Sequence, residues 1–257
     1  MILLRSLLFN VAFYGWTAII CIVLLVTLPF PRPVLMRFIR GYLRSVAWLE
    51  RVLAGLDYEV RGIENIPAHG SYIVAAKHQS AWETMKLHAL FGDPAVVLKR
   101  ELMTIPLWGR LAAKAEMIPV DRGAGGRALA SMIKNAIPVM EQERPIVIFP
   151  QGTRTAPGAY KSYRVGVGIL YERLELPLLP VALNSGLYWG RNSFIKRPGR
   201  IVVEILPPIL PGLDRNTVMR ELETRLEEAT DRLVVAAGGP PTLRPSAEAK
   251  ATAPAAG

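Results

Sequence analysis

The chain has 257 residues, long enough for one main domain plus an anchoring segment, and 51% of them are hydrophobic, with the excess concentrated at the N-terminus. A formal net charge of +10 fits nucleic acid, an anionic membrane surface or a phosphorylated substrate. The basic residues are scattered, without zinc-finger spacing or a basic run with interleaved aromatics, which disfavours nucleic acid. The single cysteine, Cys21, excludes an intramolecular disulfide and a cysteine-rich metal site.

Leu7 to Phe30 is a 24-residue run without charge. At about 1.5 Å per helical residue it can cross a hydrocarbon core of about 30 Å. Arg5 precedes it, while Arg32, Arg37, Arg40, Arg44 and Arg51 follow, against one acidic residue, Glu50. The positive-inside rule then places the downstream body in the cytoplasm. A cleaved signal peptide fits poorly, because the run is long and no small-residue cleavage site ends it. A buried core helix is a second alternative. A third starts from Pro29, Pro31 and Pro33, which break the run. Leu35, Ile39, Tyr42, Leu43, Val46, Leu49 and Leu53 then follow helical spacing among the arginines, a pattern suited to the membrane interface. The two segments can therefore form a hairpin that dips into one leaflet, and sequence alone leaves that beside a spanning helix.

The body alternates short apolar runs with helical patterns. Strands are predicted at 56–61, 71–76, 95–98, 117–120, 145–149, 178–183 and 201–206. Helices are predicted at 81–91, 107–115, 126–142 (with Pro138 a candidate kink), 166–174 and 214–235. This alternation indicates an α/β domain. The expected organisation is an N-terminal membrane anchor over 1–55, a catalytic domain over 56–236 and a disordered tail rich in Ala, Pro and Gly over 237–257.

Three places carry candidate chemistry. His78 and Glu83 lie five residues apart, where an apolar strand gives way to a helix. A neutral imidazole there can take a proton from a hydroxyl, with the carboxylate stabilising the imidazolium. Ser80-Ala81-Trp82-Glu83 equally fits a capping box, in which Glu83 only bonds back to the Ser80 backbone. Phe149-Pro150-Gln151-Gly152-Thr153-Arg154 runs from a buried strand into a turn whose N–H groups, Thr153 hydroxyl and Arg154 fork can hold a phosphate; an ordinary turn with a solvated arginine reads the same way. Arg122 leaves the strand ending at Val120, and Lys99 and Arg100 follow another, so several strand ends deliver cations to one rim.

In order along the chain, these segments resemble the 1-acyl-sn-glycerol-3-phosphate (lysophosphatidic acid) acyltransferase family, from about Leu56 to Leu233. His78 to Glu83 matches its H-x-x-x-x-D motif with Glu in the Asp place. The Arg122 segment, the Gly152-Thr153-Arg154 turn and the run Leu178 to Asn184 follow in family order. The combination is specific, although each piece alone is not. The resemblance implies a glycerolipid acyltransferase-like mixed sheet flanked by helices, with an N-terminal membrane-embedded helical segment. It implies that His78 is the general base for the free 2-hydroxyl of lysophosphatidic acid and that Glu83 orients it. Arg122, Gly152, Thr153, Arg154 and Lys99 would hold the substrate phosphate. Acyl-CoA or acyl-carrier protein would be the co-substrate, with no cofactor, no metal and no covalent enzyme intermediate. Partners would be membrane lipids, and the site would face the cytoplasm at the inner membrane.

Gln151 stands where the family usually has Glu, which keeps an oxygen acceptor but loses the charge. It leaves open another lysolipid acceptor, such as a lyso-ornithine lipid. Lys161 and Arg164 match the basic tract after Gly-Thr-Arg and are second-tier candidates with Gln151. A non-catalytic, membrane-anchored phospholipid binder would keep Arg122 and Arg154 but have no use for His78.

Overall fold

The computed structural model describes residues 1–121, 123 and 125–243. Two helices open the chain, α1 (Ile2–Leu25) and α2 (Arg32–Leu49), and a wide turn at Glu50–Ala54 ends in Gly55. Gly55 takes φ +69°, a left-handed backbone that a side chain disfavours. The α/β body then follows: β1 (Leu56–Arg61), β2 (Ile73–Ala76), α3 (Trp82–Leu90), β3 (Ala95–Lys99), α4 (Trp108–Lys114), β4 (Ile118–Val120), α5 (Gly126–Glu141), β5 (Ile146–Ile148), α6 (Gly166–Leu174), β6 (Leu178–Leu183), β7 (Gly199–Ile205) and α7 (Arg215–Ala236).

The seven strands form one sheet in the order β1-β7-β6-β2-β5-β3-β4. Strands β6, β2, β5, β3 and β4 run parallel, and β7 joins β6 antiparallel, with β1 parallel to β7. The mixed sheet is thus a parallel centre with a reversed edge. Its inner strands are buried on both faces, which explains why they read as continuous apolar runs. Pro119 lies on the edge strand β4. Pro180 lies on the central β6, where its carbonyl accepts Leu206 N at 3.0 Å and the β7 ladder begins only at Val181.

Residues alternate between two cores, as strand geometry demands. Ile73, Ala75, Ile146, Leu178 and Ala182 meet α5, α6 and α7 on one face, while Val74, Ala76, Val147, Leu179 and Val181 meet α1, α3 and Trp189 on the other. Asp214 caps α7 by accepting from Asn216 N and Thr217 N at 3.0 and 3.1 Å. The helix of α5 continues through Pro138 to Glu141.

The N-terminal helix starts at Ile2, five residues before the uncharged run, and Arg5 within it donates from Nε to the Leu53 carbonyl at 3.0 Å. Both ends of α1 touch the body. Near its start, Ser6 Oγ accepts Lys196 N at 3.0 Å, Asn10 donates to Phe194 O at 2.8 Å, and Phe9 packs on the edge of Trp189. Near its end, Leu24 packs with Leu111 and Ala115, and Lys114 Nζ reaches Leu28 O at 3.1 Å. Arg32 opens α2 with two hydrogen bonds donated to the Asp93 carboxylate at 2.6 and 2.7 Å, and buried Arg144 binds Glu116 beside it at 2.6 Å. At the far end of the hairpin, buried Glu50 holds Lys86 at 2.7 Å on α3. Burial lifts the Glu50 carboxyl, and Lys86 opposes that shift.

The first residues of the expected tail are held against the body. Thr242 N donates to Asp231 at 3.1 Å and Leu243 N to Gly158 O at 3.2 Å. Residues 244–257, with the rest of that expectation, lie outside the described residues.

Replacing fully buried Phe9 by Ala removes the ring that fastens α1 to Trp189. A destabilisation of about 3 kcal/mol is expected, read as a lowered denaturant midpoint of the protein in detergent; an unchanged midpoint would show that α1 is not docked.

Candidate active site

The parallel strands β6, β2 and β5 lie side by side, and the loops leaving their C-terminal ends meet, as ligand sites in such sheets require. Lys77 to Ala81 carries the chain from β2 into α3. Within it, Glu83 has no solvent exposure. Its Oε1 accepts from Gln79 N at 2.8 Å and Ser80 N at 2.6 Å and meets His78 Nδ1 at 2.8 Å. Its Oε2 accepts from Ser185 Oγ at 2.8 Å, in the loop after β6. Four donors on one buried group fit an ionised carboxylate. The capping contact to Ser80 and the His–Glu pair are therefore one arrangement, made by the same oxygen.

A carboxylate at Nδ1 requires that nitrogen to carry the proton, so the hydrogen-bond network assigns Nε2 as the basic nitrogen. The imidazole stacks on Phe149, with centroids 4.0 Å apart and planes 20° from parallel, and its side chain stays 16% exposed. Thr155 N donates to His78 O at 2.7 Å, which brings the loop after β5 against the loop after β2.

That second loop turns at Gly152, whose φ of +66° suits glycine and whose N–H bonds Phe149 O at 2.9 Å. Thr153 and Arg154 follow, both half-buried, next to the Thr155 that binds His78. Arg164 N closes the loop on Pro150 O at 2.8 Å. Gln151 faces inward and is fully buried, so it is behind the turn and not on its rim. Its Nε2 donates to Glu227 at 3.3 Å.

The other candidates spread along the same edge. Lys99 is exposed at the end of β3 and holds Glu101 at 2.7 Å, two strands from β2. Lys161 is half-buried and Arg164 exposed, both within the loop after β5. Arg122 lies outside the described residues; beside it, Asp121 accepts Gly123 N at 3.0 Å. A hollow of about 720 Å³ there is lined by Arg100, Asp121, Arg127, Ser131 and Asn135, with Met103, Pro119 and Ala128 between them. Arg127, on α5, was not among the sequence candidates and lines the same hollow as Arg100. Nor was Ser185, which nothing in the chain order links to Glu83.

An apolar cavity of about 370 Å³, within the range of small-molecule sites, opens between the hairpin and the body. Ile20, Leu24, Leu43, Met85, Leu98 and Leu111 are among its walls. Helix α3 thus presents Glu83 to the reaction centre and Met85 and His88 to the cavity. Burial drives the His88 imidazole down to about 4, against the opposing pull of Asp93 and with the help of Arg144, Arg32 and Arg40. Its Nε2 has no hydrogen-bond partner among the described residues.

A family model described as Acyltransferase matches residues 57–184. A 1-acyl-sn-glycerol-3-phosphate acyltransferase of Pseudomonas aeruginosa is 36% identical over 189 residues, which cover 74% of this chain and 73% of that protein. The chain belongs to the 1-acyl-sn-glycerol-3-phosphate acyltransferase family. The alpha form of that enzyme from Mus musculus is 29% identical, over 65% of this acyltransferase and 60% of its own length. The crystal structure of the acyltransferase PlsC from Thermotoga maritima superposes with a TM-score of 0.74, covering 91% of this chain and 98% of that one. At 21% identity it shows that the fold is shared.

Removing the Glu83 carboxylate strands two backbone N–H groups and Ser185. Glu83→Ala is expected to destabilise by about 3 kcal/mol and His78→Ala by less than about 1 kcal/mol, compared by denaturant unfolding; equal losses would contradict the central place of Glu83. His88 supplies a second expectation. Its folded value of about 4 lies below the ordinary 6.5, so the unfolded chain takes up a proton that the fold refuses. The fold is fully favoured above pH 6.5 and loses stability as pH falls towards 4. The thermal midpoint should drop across that window, and His88→Gln should make the drop smaller; an identical drop would remove His88 from the acid response.

Proposed function

We propose that this enzyme moves a fatty acyl group from acyl-CoA or acyl-carrier protein to the 2-hydroxyl of 1-acyl-sn-glycerol-3-phosphate, giving phosphatidic acid. The observation that carries the reading is the buried Glu83 holding His78 Nδ1, which leaves Nε2 as a base beside the Gly152-Thr153-Arg154 turn. In this reading Nε2 takes the hydroxyl proton as the oxygen attacks the thioester carbonyl carbon. The imidazolium is stabilised by Glu83, the C–S bond breaks, and the released sulfur takes the proton back. Gly152, Thr153 and Arg154 hold the phosphate, and Arg122 and Lys99 are the further cations assigned to it in this reading. The apolar cavity under α1 and α2 takes an acyl chain. Curated relatives named for this activity support the acceptor.

Two rival readings lose their motive. Gln151, the departure that favoured another acceptor, is fully buried and offers a bound lipid no contact. A phospholipid binder without catalysis would have no use for the His78–Glu83 pair.

The membrane is engaged by the hairpin from one side. The outer surface of α1 exposes Leu4, Leu8, Val11, Ile19 and Ile22, and α2 follows with exposed arginines. Because α1 is fastened to the body near both ends, it lies along a leaflet and does not run away from the body across the bilayer.

Purified protein in detergent should consume acyl thioester only when lysophosphatidic acid is present, and His78→Ala should lower kcat by about 10²- to 10⁴-fold while the protein stays folded. Full turnover by that variant would overturn the assignment. In sealed vesicles, tags at Met1 and at the C-terminus should be digested from the same side; opposite sides would overturn the one-leaflet arrangement.

A further inference from the structure

On the face of the sheet away from His78, an ionic cluster built on the buried Lys77–Glu227 pair joins the two loops of the proposed reaction centre to α7. Ala76 belongs to the core that includes Phe149, on which His78 stacks, while Lys77 reaches Glu227 on α7. Lys77 Nζ donates to both oxygens of Glu227, at 2.5 and 2.6 Å. Glu227 Oε1 also accepts from Tyr163 OH at 2.7 Å and from Gln151 Nε2 at 3.3 Å. Lys77 is 1% exposed, and Glu227 and Gln151 are fully buried. Each partner is the sequence neighbour of a site residue: Lys77 of His78, Gln151 of Gly152, Tyr163 of Arg164.

We infer that Glu227 is a positioning residue for the reaction centre, and that position 151 carries a neutral amide because Glu227 already supplies the single carboxylate that buried Lys77 can balance. The cluster holds one positive charge and one negative charge away from water. Tyr163 joins as a neutral donor, its phenol pushed well up by burial and by Glu227. A second carboxylate at 151 would approach Glu227 Oε1 as closely as the amide does, and two such groups cannot both stay ionised beside one ammonium. An amide makes the same contact as a donor and brings no charge. Loss of the Glu227 carboxylate is equally unfavourable, since it leaves Lys77 charged, buried and unpaired. Glu227 touches no reacting atom. It acts by holding the backbone on either side of the His78 turn and the Gly152 turn to one rigid helix, so that base and phosphate loop keep their spacing.

The departure at 151 therefore reports where this chain keeps a buried carboxylate, and says nothing of acceptor choice. The turnover readout rests on the proposed acyl transfer; the folding readout does not.

The test is an exchange of the two groups. Glu227→Gln, Gln151→Glu and the double variant are compared with the parent enzyme in detergent, by thermal midpoint and by kcat, KM and the pH profile of kcat with lysophosphatidic acid and acyl-CoA. Each single variant should lower the midpoint and reduce kcat at least tenfold, with KM changed less. Gln151→Glu, with two carboxylates in a cluster that has one lysine, should add a titration to its kcat profile that the parent lacks. The double variant again has one carboxylate and one amide in the cluster, so it should regain most of both losses and lose the added titration. If a single variant does not accumulate as folded protein, the double must still do so. Losses that add in the double variant overturn the charge argument. Midpoints that recover while kcat never changed overturn the positioning role. A parent with no transfer activity contradicts the proposed function, and the four midpoints still decide the charge argument.

Discussion

A carboxylate without exposure at the mouth of a parallel sheet must be met by donors, and the whole reaction centre is arranged around that requirement. Glu83 finds them in two backbone N–H groups of its own turn, the His78 ring and a serine from the next strand over. Meeting the charge starts helix α3, fixes the tautomer of His78 and locks the loop after β6 to the loop after β2. Function and local folding share the interaction, because an anion buried there is stable only when every lone pair it presents is used.

The same economy appears on the reverse face. Lys77 and Glu227 place a buried ion pair one residue away from the base, and that pair draws in the loop after β5 through Gln151 and Tyr163. Paired buried charges contribute little net stability, but breaking one is costly. Their effect is to make the relative placement of β2, β5 and α7 an all-or-none matter. The ion pair and the His78 ring lie on opposite sides just past the end of β2, where Lys77 N still bonds Val181 O at 3.0 Å.

The hairpin completes the site from outside. Polar contacts from Ser6 and Asn10, the Arg32 and Arg144 clasp on Asp93 and Glu116, and the Glu50–Lys86 pair fasten it at several points. Between these fastenings the surfaces are apolar and do not close completely, which leaves the cavity that reaches α3. The segment that reads as a membrane anchor is thus also a wall of that cavity.

Much of this was legible in residue order alone. The strands declared themselves as short β-branched runs, and the helices by their period, since burial on one or both faces writes itself directly into composition. Their bounds agree to within a few residues, and the His78–Glu83 spacing named a pair whose side chains meet at 2.8 Å. What the chain by itself determined is the local chemistry: a base and a carboxylate one turn apart, a glycine turn followed by a hydroxyl and a guanidinium, and a long uncharged run before a basic one. Only the tertiary structure decided which partners these groups meet. Ser185 and Glu227 lie 102 and 76 residues from the groups they serve, and Glu227 sits in a stretch of charges that reads as a solvated helix face. Gln151, read from its motif as a group for the substrate, is fully buried and bonded to Glu227. Local sequence records which conformations and charges are available, but a buried charge is balanced by whatever the fold brings within hydrogen-bond reach, and that depends on strand order, which no short motif contains.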